Sequence, residues 1–215
     1  ALELLVQRPT PPGTYEWLSF WGWPDELVSW TWDVPVGAQL IVRAYTNGDE
    51  VRLFLNGREV ARKQVTEADK LTAKFEISYE PGELVAIAFK SGKEIGRKAL
   101  VTVGRPAAVR LSAERSRIAA SPYDLAYVFA EIVDAQGRKV PDAAVPLTFS
   151  LEGAARIRAT GSANPRGIKS FSDPSCITFH GEALAIVQPG TRRGRAVVQV
   201  SSPGLEGDSI ELRIG

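Results

Sequence analysis

Five tryptophans, Trp17, Trp21, Trp23, Trp30 and Trp32, crowd into the first 32 residues, and no other follows in the chain. Trp21-Gly22-Trp23 and Trp30-Thr31-Trp32 each set two indoles two positions apart. In extended backbone that spacing puts both rings on one face. Pro24, Asp25 and Glu26 between the pairs read as a turn. Indole faces suit the apolar C–H faces of sugars, and adjacent carboxylates accept hydrogen bonds from hydroxyls. Aromatic rings with a few fixed polar groups make a sugar platform. The candidate carbohydrate-binding residues are therefore Trp21, Trp23, Asp25, Trp30 and Trp32. A competing reading of the same residues is packing. Tryptophan dominates cores and interfaces, so the cluster would fill a core or seal a contact with a neighbouring domain.

Residues that could carry out a reaction are sparse. Cleaving a glycosidic bond takes two positioned carboxylates. Asp25-Glu26 and Asp49-Glu50 are sequence neighbours in turns, so their side chains point apart. With Asp173 they read as exposed turn carboxylates. His180 is the single histidine, and a serine or cysteine nucleophile would need it as base. Cys176 lies four positions before it without a helical pattern. No serine sits in a Gly-x-Ser-x-Gly elbow. Phosphate-binding glycine loops and metal-ligand spacings are missing too. The sequence predicts no catalytic residue, no metal and no cofactor.

Charge narrows the partners further. The 26 basic and 25 acidic side chains leave a net charge of +1, which gives no field to attract nucleic acid or an anionic membrane. Arg192-Arg193-Gly194-Arg195 is a short basic run between apolar stretches and reads as a solvated turn. A lone cysteine rules out an internal disulfide. No apolar run reaches the length of a membrane span. The opening residues lack the charged and apolar regions of a signal peptide, and the chain contains no methionine. These features suggest a fragment of a longer protein, with a bacterial periplasmic or extracellular setting expected.

The elements that must position the tryptophans are strands. A hydrophobic content of 44% supplies a sizeable core, and its pattern alternates in short runs rather than at helical spacing. In the first half, 39–45, 51–55, 59–62, 73–77, 84–89 and 99–103 read as strands. Asn47-Gly48, Asn56-Gly57, Pro81-Gly82 and Ser91-Gly92 separate them, and Asn56-Gly57 is a strong hairpin signal. Gly104-Arg105-Pro106 reads as a boundary. The pattern restarts at 109–113, 126–133, 145–151, 183–187, 196–200 and 210–214. Pro146 would place its strand at an edge or a bulge. The stretch from Gly161 to Ser175 reads as a long irregular loop. The expected fold is all-β, two consecutive antiparallel immunoglobulin-like β-sandwiches spanning 1–104 and 105–215.

Longer tracts carry a resemblance. Phe20 to Leu27, Ser29 to Trp32 and Val42 to Gly57, with Tyr45 to Gly57 and its Leu53-Phe54-Leu55-Asn56-Gly57 hairpin the most specific part, resemble the domain after the catalytic barrel in bacterial β-galactosidase-like enzymes of glycoside hydrolase family 2. Tyr79 to Leu84 and Lys90 to Lys93 fit as well. Glu131 to Gly137, Val140 to Ala143 and Phe179 to Val187 resemble the immunoglobulin-like C-terminal domain of the same enzymes, akin to adhesin repeats. Two loops depart from the family pattern. Gly161-Ser162 lacks the usual asparagine after the glycine, and His180 stands where asparagine commonly follows phenylalanine. The resemblance implies a parent that hydrolyses β-galactosides or related glycosides with a glutamate pair in a barrel. None of that barrel is in the sequence, so no catalytic residue is carried over. The implied partners are the catalytic barrel and oligo- or polysaccharide. The alternatives are an autonomous carbohydrate-binding module and an immunoglobulin-like surface adhesion or spacer protein.

Overall fold

The computed structural model describes residues 1–11, 13–18 and 20–215. The chain divides into two units, Ala1–Thr102 and Val103–Gly215. Each is a β-sandwich. The single helical turn among the described residues is 3-10, Glu67–Asp69.

The strands of the first unit are β1 (Leu2–Gln7), β2 (Glu26–Leu27), β3 (Gln39–Thr46), β4 (Glu50–Leu55), β5 (Arg58–Gln64), β6 (Thr72–Ser78), β7 (Glu83–Lys90) and β8 (Lys93–Val101). They form two four-stranded sheets, ordered β2-β1-β3-β6 and β5-β4-β7-β8. Alternation sets which faces meet. Leu2, Leu4 and Val6 of β1, Leu40, Val42 and Ala44 of β3, and Val51, Leu53 and Leu55 of β4 are all buried in one core. Burying each such Leu or Val is worth about 1.5–3 kcal/mol. Residues between them face outward, among them Arg43 and Tyr45 of β3.

The β4–β5 hairpin turns at Asn56-Gly57, both at positive φ (51° and 78°), the backbone a tight two-residue hairpin demands. Asn56 then reaches across the unit. Its amide donates to Glu80 Oε1 at 3.0 Å and to the Pro81 carbonyl at 3.1 Å, and its Oδ1 accepts the Glu83 N–H at 2.9 Å. Gly82 is required there: a Cβ at this residue would lie 1.8 Å from Asn56 Oδ1. Both features belong to tracts singled out in the sequence.

The second unit contains β9 (Ala108–Ala113), β10 (Arg117–Ile118), β11 (Ala126–Val133), β12 (Pro146–Gly153), β13 (Ala155–Gly161), β14 (Ser175–Ile177), β15 (Glu182–Pro189), β16 (Gly194–Ser202) and β17 (Leu205–Ile214). One layer runs β13-β15-β11-β9 and the other β17-β16-β12-β14, with β10 against β17. Val128, Ala130, Ile132, Phe149, Val187 and Leu212 pack between them.

The antiparallel sandwiches expected are present; one detail adds to that reading and another corrects it. Two short pairings in the second unit run parallel. The opening segment switches layers after β9, so β10 lands beside β17 running the same way, and Ala108 of β9 also pairs in parallel with Glu206. Pro146 is not on an edge strand or at a bulge, since β12 lies between β16 and β14. It is the strand's first residue, where a missing N–H costs little.

Asp134 fixes the entry to this unit. Its buried carboxylate accepts the N–H groups of Gly104 (2.8 Å), Gln136 (3.0 Å) and Arg138 (2.9 Å), and the Arg138 guanidinium as well. Burial alone would raise its pKa. These donors outweigh burial and hold the group well below the usual carboxylate range.

Candidate functional site

The tryptophans lie on and just after the connection from β1 to β2. Polar contacts tie this loop down. Gln7, at the end of β1, donates to Glu16 Oε2 at 2.5 Å, and the Asp25 N–H donates to Glu16 Oε1 at 2.8 Å. The Arg8 N–H donates to the Asp25 carbonyl at 2.8 Å, and its guanidinium pairs with the Asp25 carboxylate at 2.9 Å.

Glu26 comes next, and it is not the exposed turn carboxylate expected. Its side chain is only 8% exposed. One carboxylate oxygen takes the Arg43 guanidinium and the other accepts the Tyr45 hydroxyl at 2.7 Å. β2 pairs with β1 and β1 with β3, so Glu26 spans the outer face of the sheet to reach β3. Burial first, and the bond to Glu26 second, push the Tyr45 phenol up to about 12.

The five indoles separate into three environments. Trp17, Trp21 and Trp23 are 82%, 71% and 77% exposed. Trp21 and Trp23 stack, with centroids 6.3 Å apart and planes 27° from parallel. Phe20 meets Trp21 edge-on at 5.7 Å. Trp30 takes the packing role. It is fully buried, its N–H donates to the Glu80 carbonyl at 2.9 Å, and its ring lies 5.2 Å from Tyr79. It offers no face to a ligand, so it does not share a platform with Trp32. Trp32 is half-buried against the same core. Its indole nitrogen is buried and has no hydrogen-bond partner among the described residues. Of the candidate residues, Trp21, Trp23 and Asp25 are thus brought to the surface on one clamped loop, while Trp30 and Trp32 anchor the segment that follows.

The other carboxylates have local duties. Asp49 Oδ2 accepts the Ser91 N–H at 2.7 Å. Glu50 binds Arg52 and Gln64, and Arg52 first among its causes holds it below its ordinary value. Asp173 Oδ1 accepts the Ser175 hydroxyl and N–H at 2.8 and 2.9 Å. No cluster of three or more metal-ligating side chains occurs among the described residues. No helix of the described residues is long and apolar enough to cross a membrane.

Cys176 is buried in β14, and burial pushes its thiol up. His180 sits in the following turn at φ 53°, 3.9 Å from the Phe179 ring. That turn borders an apolar cleft of about 710 Å³, walled by Phe129, Phe171, Phe179, Leu184 and Ile186. The cleft was missed in the sequence. Its signal was there: Phe129, Leu184 and Ile186 fall on the outward positions of β11 and β15, where polar residues are the rule.

Residues 109–211 match the glycoside hydrolase family 2 C-terminal domain 5, and residues 37–96 match a domain of unknown function (DUF4982). The chain is a C-terminal accessory region of glycoside hydrolase family 2. It is similar to Beta-galactosidase BoGH2A of Bacteroides ovatus, 32% identical over an alignment of 189 residues that covers 85% of this chain and 22% of that protein. A solved glycosyl hydrolase family 2 member from Bacteroides cellulosilyticus superposes with a TM-score of 0.92 at 33% identity, covering 100% of this chain and 28% of that one. A solved β-glucuronidase from the same family superposes at 0.80 with 25% identity, covering 87% and 19%. This family 2 region therefore spans between 19% and 28% of the length of these relatives.

Proposed function

We propose that this family 2 region is the non-catalytic C-terminal part of a β-galactosidase-like hydrolase. It buttresses the catalytic barrel and turns Trp21 and Trp23 toward the barrel's pocket or the sugar held there. One observation carries this reading: two stacked indoles stay largely exposed on a loop whose base is bound by four hydrogen bonds to Glu16 and Asp25. Exposed aromatic clusters on soluble folds mark interaction sites, and tryptophan anchors are among the costliest interface residues to lose. The β-galactosidase name of the Bacteroides ovatus relative supports the substrate class. Asp25, with its carboxylate half exposed, is placed to accept a sugar hydroxyl.

The stacked pair also favours a second reading, an autonomous carbohydrate-binding module. Two measurements on the isolated chain test both. Incubated with a chromogenic β-galactoside, it is expected to release no product, and hydrolysis would overturn the accessory role. Titration with galactosides, followed by tryptophan fluorescence, separates the readings. A saturable response carries the autonomous module. A flat trace rejects it and leaves the barrel as the partner.

A further inference from the structure

We propose that Glu16 and Glu26 are positioning residues that set the orientation of the Trp21–Trp23 pair. This rests on the reading that the pair faces the barrel or a sugar. The connection from Gln7 to Glu26 is long and its described residues form no helix or strand; a loop this long in a compact domain is either functional or loosely ordered. Apolar burial does not hold its crown, because Trp17, Phe20, Trp21 and Trp23 are all exposed. Carboxylates hold it instead. The two oxygens of Glu16 bind opposite ends of the loop, Gln7 on β1 and the main-chain N–H of Asp25. Glu16 thus ties the start of the loop to its end, on either side of the stacked Trp21 and Trp23. Glu26 fixes the outgoing foot to β3 through Arg43 and Tyr45. Hydrogen bonds to charged groups are stronger than neutral ones, so a clamp of this type holds an exposed loop without a core of its own.

Oxygen chemistry distinguishes the two halves of the clamp. Glu16→Gln keeps a carbonyl oxygen for the Asp25 N–H, and the Gln7 amide can rotate to offer its own oxygen to the new amide. That Gln7 oxygen is buried and has no partner among the described residues. Glu16→Ala keeps neither contact.

The test compares the full chain with its Glu16→Ala, Glu16→Gln and Tyr45→Phe variants. The first readout is amide hydrogen exchange at Asp25 and across residues 17–24. The second is the exciton couplet in circular dichroism from the stacked indoles, assigned by its loss in Trp21→Phe. Glu16→Ala is expected to speed exchange at Asp25 roughly tenfold or more, the loss of one charge-assisted hydrogen bond. It should also collapse the couplet while leaving the thermal midpoint of the first unit near wild type. Glu16→Gln should restore both signals, and Tyr45→Phe should weaken the couplet partly. An unchanged couplet and unchanged exchange in Glu16→Ala would overturn the clamp. Neither readout involves sugar or barrel. A clamp that holds in a chain whose indoles contact neither fails the functional reading alone. Unchanged exchange and an unchanged couplet in Glu16→Ala, in a protein whose indoles do contact sugar or barrel, fail the clamp alone.

Discussion

Replacing Trp30 separates core tryptophan from surface tryptophan more sharply than any other change. Its indole is 0% exposed, hydrogen-bonded to the Glu80 carbonyl and packed on Tyr79. Truncating a buried tryptophan to alanine costs about 3–5 kcal/mol. The stranded Glu80 carbonyl and the lost ring contact place Trp30→Ala near the top of that range. A domain has about 5–15 kcal/mol in total, so a third or more of the first unit's stability would go. The midpoint should fall by roughly 15 °C or more, at about 4–8 °C per kcal/mol for a unit of this size. Trp30→Phe keeps the ring contact and loses the N–H, so about 1–2 kcal/mol is expected. Trp21→Ala and Trp23→Ala should stay within about 0.5 kcal/mol of wild type. The assay is denaturant unfolding followed by tryptophan fluorescence. Because all five tryptophans lie in Ala1–Thr102, the signal reports the first unit alone. A Trp30→Ala chain within 1 kcal/mol of wild type, or a Trp21→Ala chain as weak as Trp30→Ala, would refute this division of roles.

Three further outcomes follow from the geometry. Gly82→Ala sets a Cβ against Asn56 Oδ1 at a φ of 139°, so it should destabilise the first unit by about 1–3 kcal/mol, read by the same unfolding curve. Asp134 has a lowered folded pKa, so the unfolded chain takes up its proton first as the pH drops. Its contribution is whole above about pH 4, the ordinary carboxylate value, and is lost as the pH falls below that. Asp134→Asn should flatten the acid limb of the second unit's stability, measured by circular dichroism. Tyr45 has a raised folded pKa, so stability is whole below pH 10 and declines as the pH climbs toward about 12. Tyr45→Phe should flatten that alkaline limb in the fluorescence assay.

The sandwich architecture was legible because most strands alternate cleanly and most turns carry Asn-Gly, Pro-Gly or Ser-Gly. Strands with blurred alternation were harder. β1 reads Leu-Glu-Leu-Leu-Val-Gln, where Leu5 breaks the period. β13 reads Ala-Arg-Ile-Arg-Ala-Thr-Gly and pairs with β15 through a bulge between Ile157 and Ala159. Both went unread. The site was legible in composition but not in depth. Trp21 and Trp23 do stack, but through a turn with Gly22 at φ 66° rather than through the extended backbone the spacing assumed, and nothing in Trp30-Thr31-Trp32 indicates that the first ring enters the core beside Tyr79, 49 residues further along the chain. Glu26 misled for the same reason. A carboxylate after Pro-Asp looks solvated until β3 brings Arg43 and Tyr45 beneath it. Local spacing shows which residues share a face. Which face is covered depends on strands far apart in the sequence.

The most direct measurement is the steady-state kinetics of the complete hydrolase carrying Trp21→Ala and Trp23→Ala, with the thermal midpoint followed in parallel. A clear drop in kcat/KM on a β-galactoside at an unchanged midpoint is the expected result. Turnover and substrate affinity equal to wild type in the double variant would contradict a pocket-facing role for the stacked indoles.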